Sequence, residues 1–172
     1  MKKTIASGIF IFCLFLLQST LFALFSVGGI RPNLLIIATA SLGFLGGKRT
    51  GIYAGFFSGL LIDVGFRSVY GINALIYMYI GFTCGSLKKV LFPKDIKLPL
   101  LFIAVSDFCY NILYYFFHFF FRGKFDFTYY LKHIMLPEIV YTALMACVIY
   151  PFIHFVIRRI EVPEKKGEQT IV

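Results

Sequence analysis

The stretch from Gly51 to Leu75, GIYAGFFSGLLIDVGFRSVYGINAL, is the part of the sequence that decides the fold. Residues four apart lie on one face of a helix, so the stretch carries a stripe of three glycines and a carboxylate: Gly51, Gly55, Gly59 and Asp63. A short glycine-bounded turn follows, and Asn73 is the first polar residue of the next apolar run. Small side chains let membrane helices approach closely. The stretch therefore predicts two tightly packed membrane helices joined by a turn.

The composition is typical of a multi-span membrane protein. Of the 172 residues, 59% are hydrophobic and 19% are aromatic, and the mean hydropathy is +0.84. A helix needs about 20 apolar residues to cross about 30 Å of hydrocarbon. We therefore expect an all-α integral membrane protein with six transmembrane helices, forming one domain over residues 1–160. A short disordered cytoplasmic tail is expected over residues 161–172.

The expected spans are joined by short charged or glycine-rich connections. The first span follows Lys2 and Lys3. Its apolar core is too long for a secretory signal peptide and no good small-x-small cleavage site follows, so we expect it to remain uncleaved. Pro32 suits the first helical position of the second span, which is expected over residues 33–46. The third span contains the glycine stripe, and the last three are expected over residues 72–87, 98–121 and 134–157.

Two of the later spans present polar or small residues on one face. In the fourth span this face comprises Asn73, Tyr77, Gly81 and Gly85, and in the fifth it comprises Asp107, Asn111, Tyr114 and His118. Polar side chains inside a span normally face the interior of the bundle. We expect the third and fourth spans to form a hairpin through their small-residue faces.

The start of the last span carries a proline and a carboxylate. Pro137 costs little near a helix start, and Glu138 interacts favourably with the positive helix N-terminus. Tyr129 and Tyr130, in the preceding connection, resemble interfacial anchors.

The distribution of basic residues predicts the orientation. The chain has seventeen Lys and Arg and a formal net charge of +9, but these residues cluster at the ends of apolar runs, which argues against nucleic-acid binding. With alternating spans, twelve basic residues fall on the side of the N-terminus and five on the other side: Arg31, Arg67, Arg122, Lys124 and Lys132. Because cytoplasmic loops carry the excess of Lys and Arg, both termini are expected in the cytoplasm.

The chemistry-bearing residues do not indicate an enzyme. The sequence contains no HExxH, GxSxG, Walker or CxxC motif, and the three histidines are expected at different membrane depths. The four cysteines lie in four different apolar runs, without metal-ligand spacing. We therefore predict no catalytic residue, no metal and no cofactor.

Three carboxylates leave alternatives open, because an ionised group in hydrocarbon is costly and often functional. Asp63 and Glu138 are expected at the outer ends of their spans, within reach of water or headgroups. Asp107 is expected nearer the middle of its span. It is interpreted as a hydrogen-bonded structural carboxylate, with a partner-contact or ligand residue as the first alternative and a proton or ion coupler as the second. The glycine stripe is expected to pack within the chain, with docking of a foreign helix as its alternative.

These features together resemble the MreD family of bacterial rod shape-determining membrane proteins. The resemblance rests on chain length, six short-looped spans, a proline at the start of the second span and two motifs. The first motif, GxxxGxxxGxxxD, runs from Gly51 to Asp63, and the second, GxNALxYxxxG, runs from Gly71 to Gly81. They cover about a fifth of the chain and are moderately specific in combination.

The resemblance implies a non-enzymatic scaffold or adaptor of the cell-elongation (rod) complex, which maintains cell shape and lateral wall synthesis. Implied partners are an MreC-like bitopic protein and, through it, MreB-like filaments and the RodA and class B penicillin-binding synthase pair. The implied fold is similar to the substrate-binding subunits of energy-coupling-factor vitamin transporters. A vitamin-binding transporter subunit is therefore the alternative function, since the two classes share length and span count. An ion-coupled carrier is a third possibility, but the two halves of the chain show no convincing internal repeat.

Overall fold

The computed structural model describes residues 2–24, 30–65, 71–88, 97–119 and 127–167, with side chains described at all of these except residues 2–6, 21–24, 97, 118–119 and 156–167. The regular elements in this part of the chain are helices. They are α1 (Lys2–Leu24), α2 (Leu34–Gly46), α3 (Lys48–Gly65), α4 (Ile72–Leu87) and α5 (Lys97–Phe119). The last element, α6, consists of Phe127–Tyr130, a π-helical segment Leu131–Met135 and a long helix Leu136–Gly167.

Helix α2 is the centre of the bundle. Every residue from Leu34 to Phe44 is buried, and α2 contacts each of the other five helices, with α3 and α4 the most extensively. Its many small residues are thus explained by close contact on all sides. The helix begins at Leu34 because Asn33 is its N-cap and accepts a hydrogen bond from the Ile36 amide at 3.3 Å. Pro32 precedes this cap, so the expectation that it occupies the first helical position is wrong.

The predicted hairpin is the most extensive helix pair in the structure. Helices α3 and α4 pack along their small-residue faces, and the four residues of the α3 stripe are buried. A side chain at Gly51 would overlap the backbone of Gly81, and one at Gly59 would overlap the backbone of Ala74. The stripe is covered by α4, as the packing interpretation predicts. It does not offer a surface to a foreign helix.

Helix α6 begins earlier and ends later than expected. It starts at Phe127 instead of residue 134, so half of the predicted connection is helical. Pro137 has no backbone N–H to donate to the preceding turn, and the backbone widens into the π-helical segment in the turn before it. The helix continues to Gly167, beyond the expected domain end at residue 160. The last five residues lie outside the described part of the chain.

The surface is more apolar than that of a water-soluble protein. Large apolar side chains such as Tyr79, Leu144 and Val148 are exposed, while Asp63, Asn73, Asp107 and Asn111 are buried inside an otherwise largely apolar core. Two segments are long and apolar enough to cross a membrane, 98–117 in α5 and 127–155 in α6. Shorter apolar helices cover 7–20, 34–46 and 72–87. This arrangement gives a surface suited to lipid, with polar residues turned to the interior.

Candidate functional site

The buried amides and carboxylates among the described residues, with several tyrosines and one threonine, lie in one layer of the bundle. We call this the polar layer and define it by the residues that it contains: Asn33, Asp63, Asn73, Tyr77, Asp107, Tyr110, Asn111, Tyr130, Glu138 and Thr142. It joins the start of α2, the end of α3, the start of α4, the middle of α5 and the first half of α6. Six of the eleven residues singled out in the sequence belong to it, and the other five are glycines of the hairpin: Gly51, Gly55, Gly59, Gly71 and Gly81.

Asp63 is the most completely satisfied carboxylate of the layer. It is 1% exposed, and it accepts hydrogen bonds from the Gly71 amide at 3.0 Å, the Asn73 side-chain amide at 2.9 Å and the Ala74 amide at 3.1 Å. The expectation that water or headgroups reach Asp63 is therefore wrong. Local hydrogen bonding fixes this corner of the molecule, as the sequence also suggested.

These hydrogen bonds make Asp63 a cap for the next helix. The first amides of a helix lack partners within the helix, and its N-terminus favours negative charge. Asp63 supplies an acceptor to the start of α4 from the last turn of α3. Gly71 lies at the N-cap position with a φ of 94°, a left-handed conformation that side chains other than glycine rarely adopt. Gly71 and Asp63 thus set the angle between α3 and α4.

Two tyrosines extend the layer from this corner towards α2 and α5. The Tyr110 hydroxyl donates to Asn73 Oδ1 at 3.1 Å, and the Tyr77 hydroxyl donates to Asn33 Oδ1 at 2.7 Å. The two rings pack edge to face with centroids 5.2 Å apart. Asn33 continues the connection, because its backbone N–H donates to Thr142 Oγ1 on α6 at 3.1 Å. One hydrogen-bonded and aromatic network therefore ties five helices together.

Asp107 has the opposite environment to Asp63. It is 0% exposed, yet neither of its carboxyl oxygens has a hydrogen bond of normal geometry to any residue that the structure describes. Thr142 on α6 lies near the carboxyl. The hydrogen-bonded structural carboxylate stays a prediction, because Thr142 is placed to donate to Asp107 but the contact falls outside normal hydrogen-bond geometry. An incompletely hydrogen-bonded buried carboxyl is costly, so the partner-contact or ligand alternative also stays open.

A second carboxyl lies beside this one. Glu138 is half-buried, interacts with the Asn111 side chain and is close enough to Asp107 for the two carboxyls to interact electrostatically. Asn111 also accepts a hydrogen bond from the Tyr130 hydroxyl at 3.1 Å and donates to the Asp107 carbonyl at 3.1 Å. We refer to Asp107, Asn111, Tyr130, Glu138 and Thr142 as the acidic cluster.

Tyr130 differs most from its expected role. It was expected to anchor the chain at the membrane interface, but it is buried at 6% exposure and bonded to Asn111, whereas Tyr129 is 61% exposed. The reason is the early start of α6, which turns successive residues to different sides of a helix. Tyr114 is half-buried on the same α5 face, and its ring is tilted against that of Tyr110 with the centroids 5.7 Å apart. The His118 side chain lies outside the described residues.

Four residues of the layer were not singled out from the sequence, and three of them carry a local signal that could have identified them. Tyr110 is three residues after Asp107, and Thr142 is four residues after Glu138, so each shares a helix face with a predicted site residue. Asn33 is a preferred N-cap residue directly before an apolar run. Tyr130 has no such signal, because its burial depends on where α6 begins.

An apolar groove of about 590 Å³ runs along the first half of α6. It is lined by Ile30 and by five residues of α6: Leu136, Pro137, Val140, Tyr141 and Leu144. Glu138 lies between two of these lining residues in the chain. Among the described residues, no group of three or more histidine, cysteine or carboxylate side chains could hold a metal ion.

The comparison with protein families agrees with this architecture. The family model described as rod shape-determining protein MreD matches residues 2–160. Neither the curated proteins nor the solved structures contain a significant match. The matched region includes both sequence motifs and every residue of the polar layer. It gives no support to the vitamin-transporter alternative. The chain belongs to the MreD family, a family of shape-determining membrane proteins that is not a known family of enzymes.

Proposed function

We propose that the protein is a non-enzymatic scaffold of the rod complex in the bacterial inner membrane, with six spans and both termini in the cytoplasm. It holds the transmembrane helix of an MreC-like bitopic protein. Through that partner it is linked to MreB-like filaments and to the RodA and class B penicillin-binding synthase pair. The observation that carries the proposal is the family match over residues 2–160.

The geometry of the polar layer supports a structural role. Most of its amides, phenols and carboxyls are bonded to one another across five helices. A catalytic site would need a nucleophile beside a base, with room for a substrate. A scaffold needs a fixed arrangement of helices, and buried hydrogen-bond networks provide such rigidity.

We place the partner's helix in the apolar groove on α6. The groove is apolar along most of its wall, as the surface of a membrane helix requires. The half-buried Glu138 follows the lining residue Pro137 in the chain, and its neighbour Asp107 has no hydrogen bond of normal geometry to a described residue. A basic or hydrogen-bonding side chain on the partner's helix would complement these carboxyls, and such contacts contribute about 1–2 kcal/mol in model membrane peptides.

The test is co-purification from the native membrane in mild detergent, with wild-type protein and two groove variants. Val140→Trp and Leu144→Trp fill the groove, since both side chains line it and are exposed by 59% and 63%. Both should lose the MreC-like partner while accumulating normally in the membrane. Leu101→Trp is the matched control, because Leu101 is 60% exposed on α5 and does not line the groove; it should keep the partner.

Two outcomes would contradict the proposal. A wild-type preparation that contains a tightly bound vitamin and no MreC-like or synthase protein would favour a transporter subunit. Retention of the partner by both tryptophan variants would show that the groove is not the binding surface.

A further inference from the structure

A second groove, between α1 and α3, has a different chemical character. It encloses about 250 Å³ and lies at the end of the bundle where α3 begins. The residues that matter here are Ser7, Gly8 and Ile11 on α1 and Arg49, Tyr53 and Phe57 on α3. Neither the polar layer nor the proposed partner surface includes any of them.

The α3 wall of this groove changes from charged to apolar along its length. Arg49, Tyr53 and Phe57 are four apart and therefore lie on one face of the helix. All three are exposed. Arg49 is the second residue of α3, so the proposed topology puts it at the cytoplasmic membrane surface and puts Phe57 two turns deeper. Tyrosine suits the boundary between these two environments. The order of cation, amphipathic ring and apolar ring matches that of a phospholipid, with its phosphate above its acyl chains.

Arg49 has an unused guanidinium, unlike its basic neighbours. The Lys48 ammonium lies 5.5 Å from the centroid of the Phe82 ring, and the Lys88 ammonium donates to the Leu45 carbonyl. Arg49 makes no hydrogen bond or ion pair within the described residues. Ser7, across the groove, is half-buried, and its hydroxyl is likewise without a protein partner there. Five donors on a planar fork match a phosphate group better than an ammonium does.

Gly8 keeps the α1 wall of the groove open. A Cβ at this position would meet nothing within 4 Å, whereas a Cβ at Gly51 or Gly59 would overlap backbone atoms of α4. Gly8 is therefore not needed for helix contact, although glycine weakens a helix relative to alanine. Its effect on the structure is to leave room beside Ile11.

We infer that this groove binds an anionic phospholipid, with the phosphate on Arg49 and Ser7 and part of one acyl chain against Ile11 and Phe57. The inference rests on Arg49 lying at headgroup level and is independent of the partner surface on α6. Basic residues near a membrane surface attract anionic lipids in general. Lipid binding in this groove differs from that general attraction, because it depends on the Arg49 guanidinium in particular and on the volume left open beside Gly8.

The experiment is native mass spectrometry of the purified full-length protein, with phosphatidylglycerol or zwitterionic phosphatidylethanolamine added at physiological ionic strength. Wild type should retain phosphatidylglycerol in preference to phosphatidylethanolamine. Arg49→Gln should lower that retention about tenfold, since a charge-assisted hydrogen bond to a phosphate is lost. Gly8→Leu should lower it similarly by filling the groove.

Two matched variants serve as controls. Lys48→Gln removes the same charge one residue away and should change retention less than about threefold, because salt screens an exposed surface charge. Cys13→Leu adds a similar apolar side chain at an exposed position of α1 outside the groove and should have no effect. Circular dichroism of all four variants checks that each is folded.

Three results would overturn the inference. They are equal retention of the two lipids by wild type, an equal loss in Lys48→Gln and Arg49→Gln, and full retention by a folded Gly8→Leu variant. If the Gly8→Leu variant that keeps the lipid also loses the MreC-like protein, the groove holds a partner helix and the lipid assignment is wrong. Failure of the partner test on α6 would leave the lipid result unchanged.

Discussion

Asp63 and Asp107 are both buried carboxylates in the same polar layer, but their oxygens have opposite surroundings. Asp63 accepts three hydrogen bonds from the start of α4. Asp107 has none of normal geometry among the described residues and lies near a second carboxyl, that of Glu138. The first arrangement is a completed helix cap. The second leaves an unmet need for a donor or a positive charge.

The difference shows that burial alone does not assign a role to a membrane carboxylate. The loss of hydration is similar for both groups, so the donors around each one decide its energy. Asp63 stabilises the α3–α4 hairpin, and both of its carboxyl oxygens accept hydrogen bonds there. Asp107 makes no hydrogen bond of normal geometry with a described residue and has only Thr142 close to its carboxyl as a side-chain donor.

The largest expected effect on stability comes from disturbing the close packing of α3 on α4 that brings Asp63 to the start of α4. Gly59→Leu inserts a side chain into the backbone of Asn73 and Ala74, and we expect a loss of about 3 kcal/mol or more in unfolding free energy. SDS titration in mixed micelles, followed by circular dichroism, measures it. Gly8→Leu is the control, since its Cβ meets open space. Equal stability of both variants would show that α3 and α4 are not packed as described.

Removing the charge of Asp63 should have the next largest effect. Asp63→Asn keeps the shape of the side chain but replaces one acceptor oxygen by an NH₂ group, which then faces one of the three N–H donors around Asp63. We expect the free energy of unfolding to fall by about 2 kcal/mol in the same titration. Hydrogen exchange at the amides of Gly71 and Ala74, which share Asp63 Oδ2, should increase, because a neutral amide oxygen is a weaker acceptor than a carboxylate oxygen. Unchanged hydrogen exchange and unchanged stability in this variant would show that Asp63 does not cap α4.

The connection between the two halves of the layer should contribute less. Tyr110→Phe deletes the hydroxyl that donates to Asn73 Oδ1, and the expected cost is about 1 kcal/mol. Tyr79→Phe is a matched control, because Tyr79 is 64% exposed and makes no contact with the layer. If both variants cost the same, the Tyr110 hydroxyl does not join α5 to the corner.

The smallest expected effect on stability is that of Asp107→Asn. Asp107 has no hydrogen bond of normal geometry to a described residue, so we expect the free energy of unfolding to change by less than about 0.5 kcal/mol. The same variant should nevertheless weaken co-purification of the MreC-like protein if the acidic cluster contacts the partner. A loss of stability as large as that of Asp63→Asn would mean that Asp107 has internal donors after all and that the contrast between the carboxylates is false.

The sequence alone determined the membrane class, the hairpin and its packing surface. These features follow from local periodicity: glycines four apart share a helix face wherever the helix lies, and only another helix close by makes use of such a stripe. The spacing also identified the α5 face with Asp107 and Asn111, and the motifs identified the family. The role of Asp63 and Asn73 in fixing their corner could be anticipated because the two residues are joined by one short turn.

The tertiary structure decided which polar groups meet. Asn33 reaches Thr142 across 109 positions of sequence, and no local pattern predicts a contact between helices that distant in the chain. Tyr130 is buried because α6 begins at Phe127, and Pro32 lies outside α2 because Asn33 caps it. Above all, spacing placed Asp63 and Asp107 on helix faces without showing their donors. Hydrogen-bond partners depend on the positions of several helices at once, and for that reason only the folded bundle separates a capped carboxylate from an unsatisfied one.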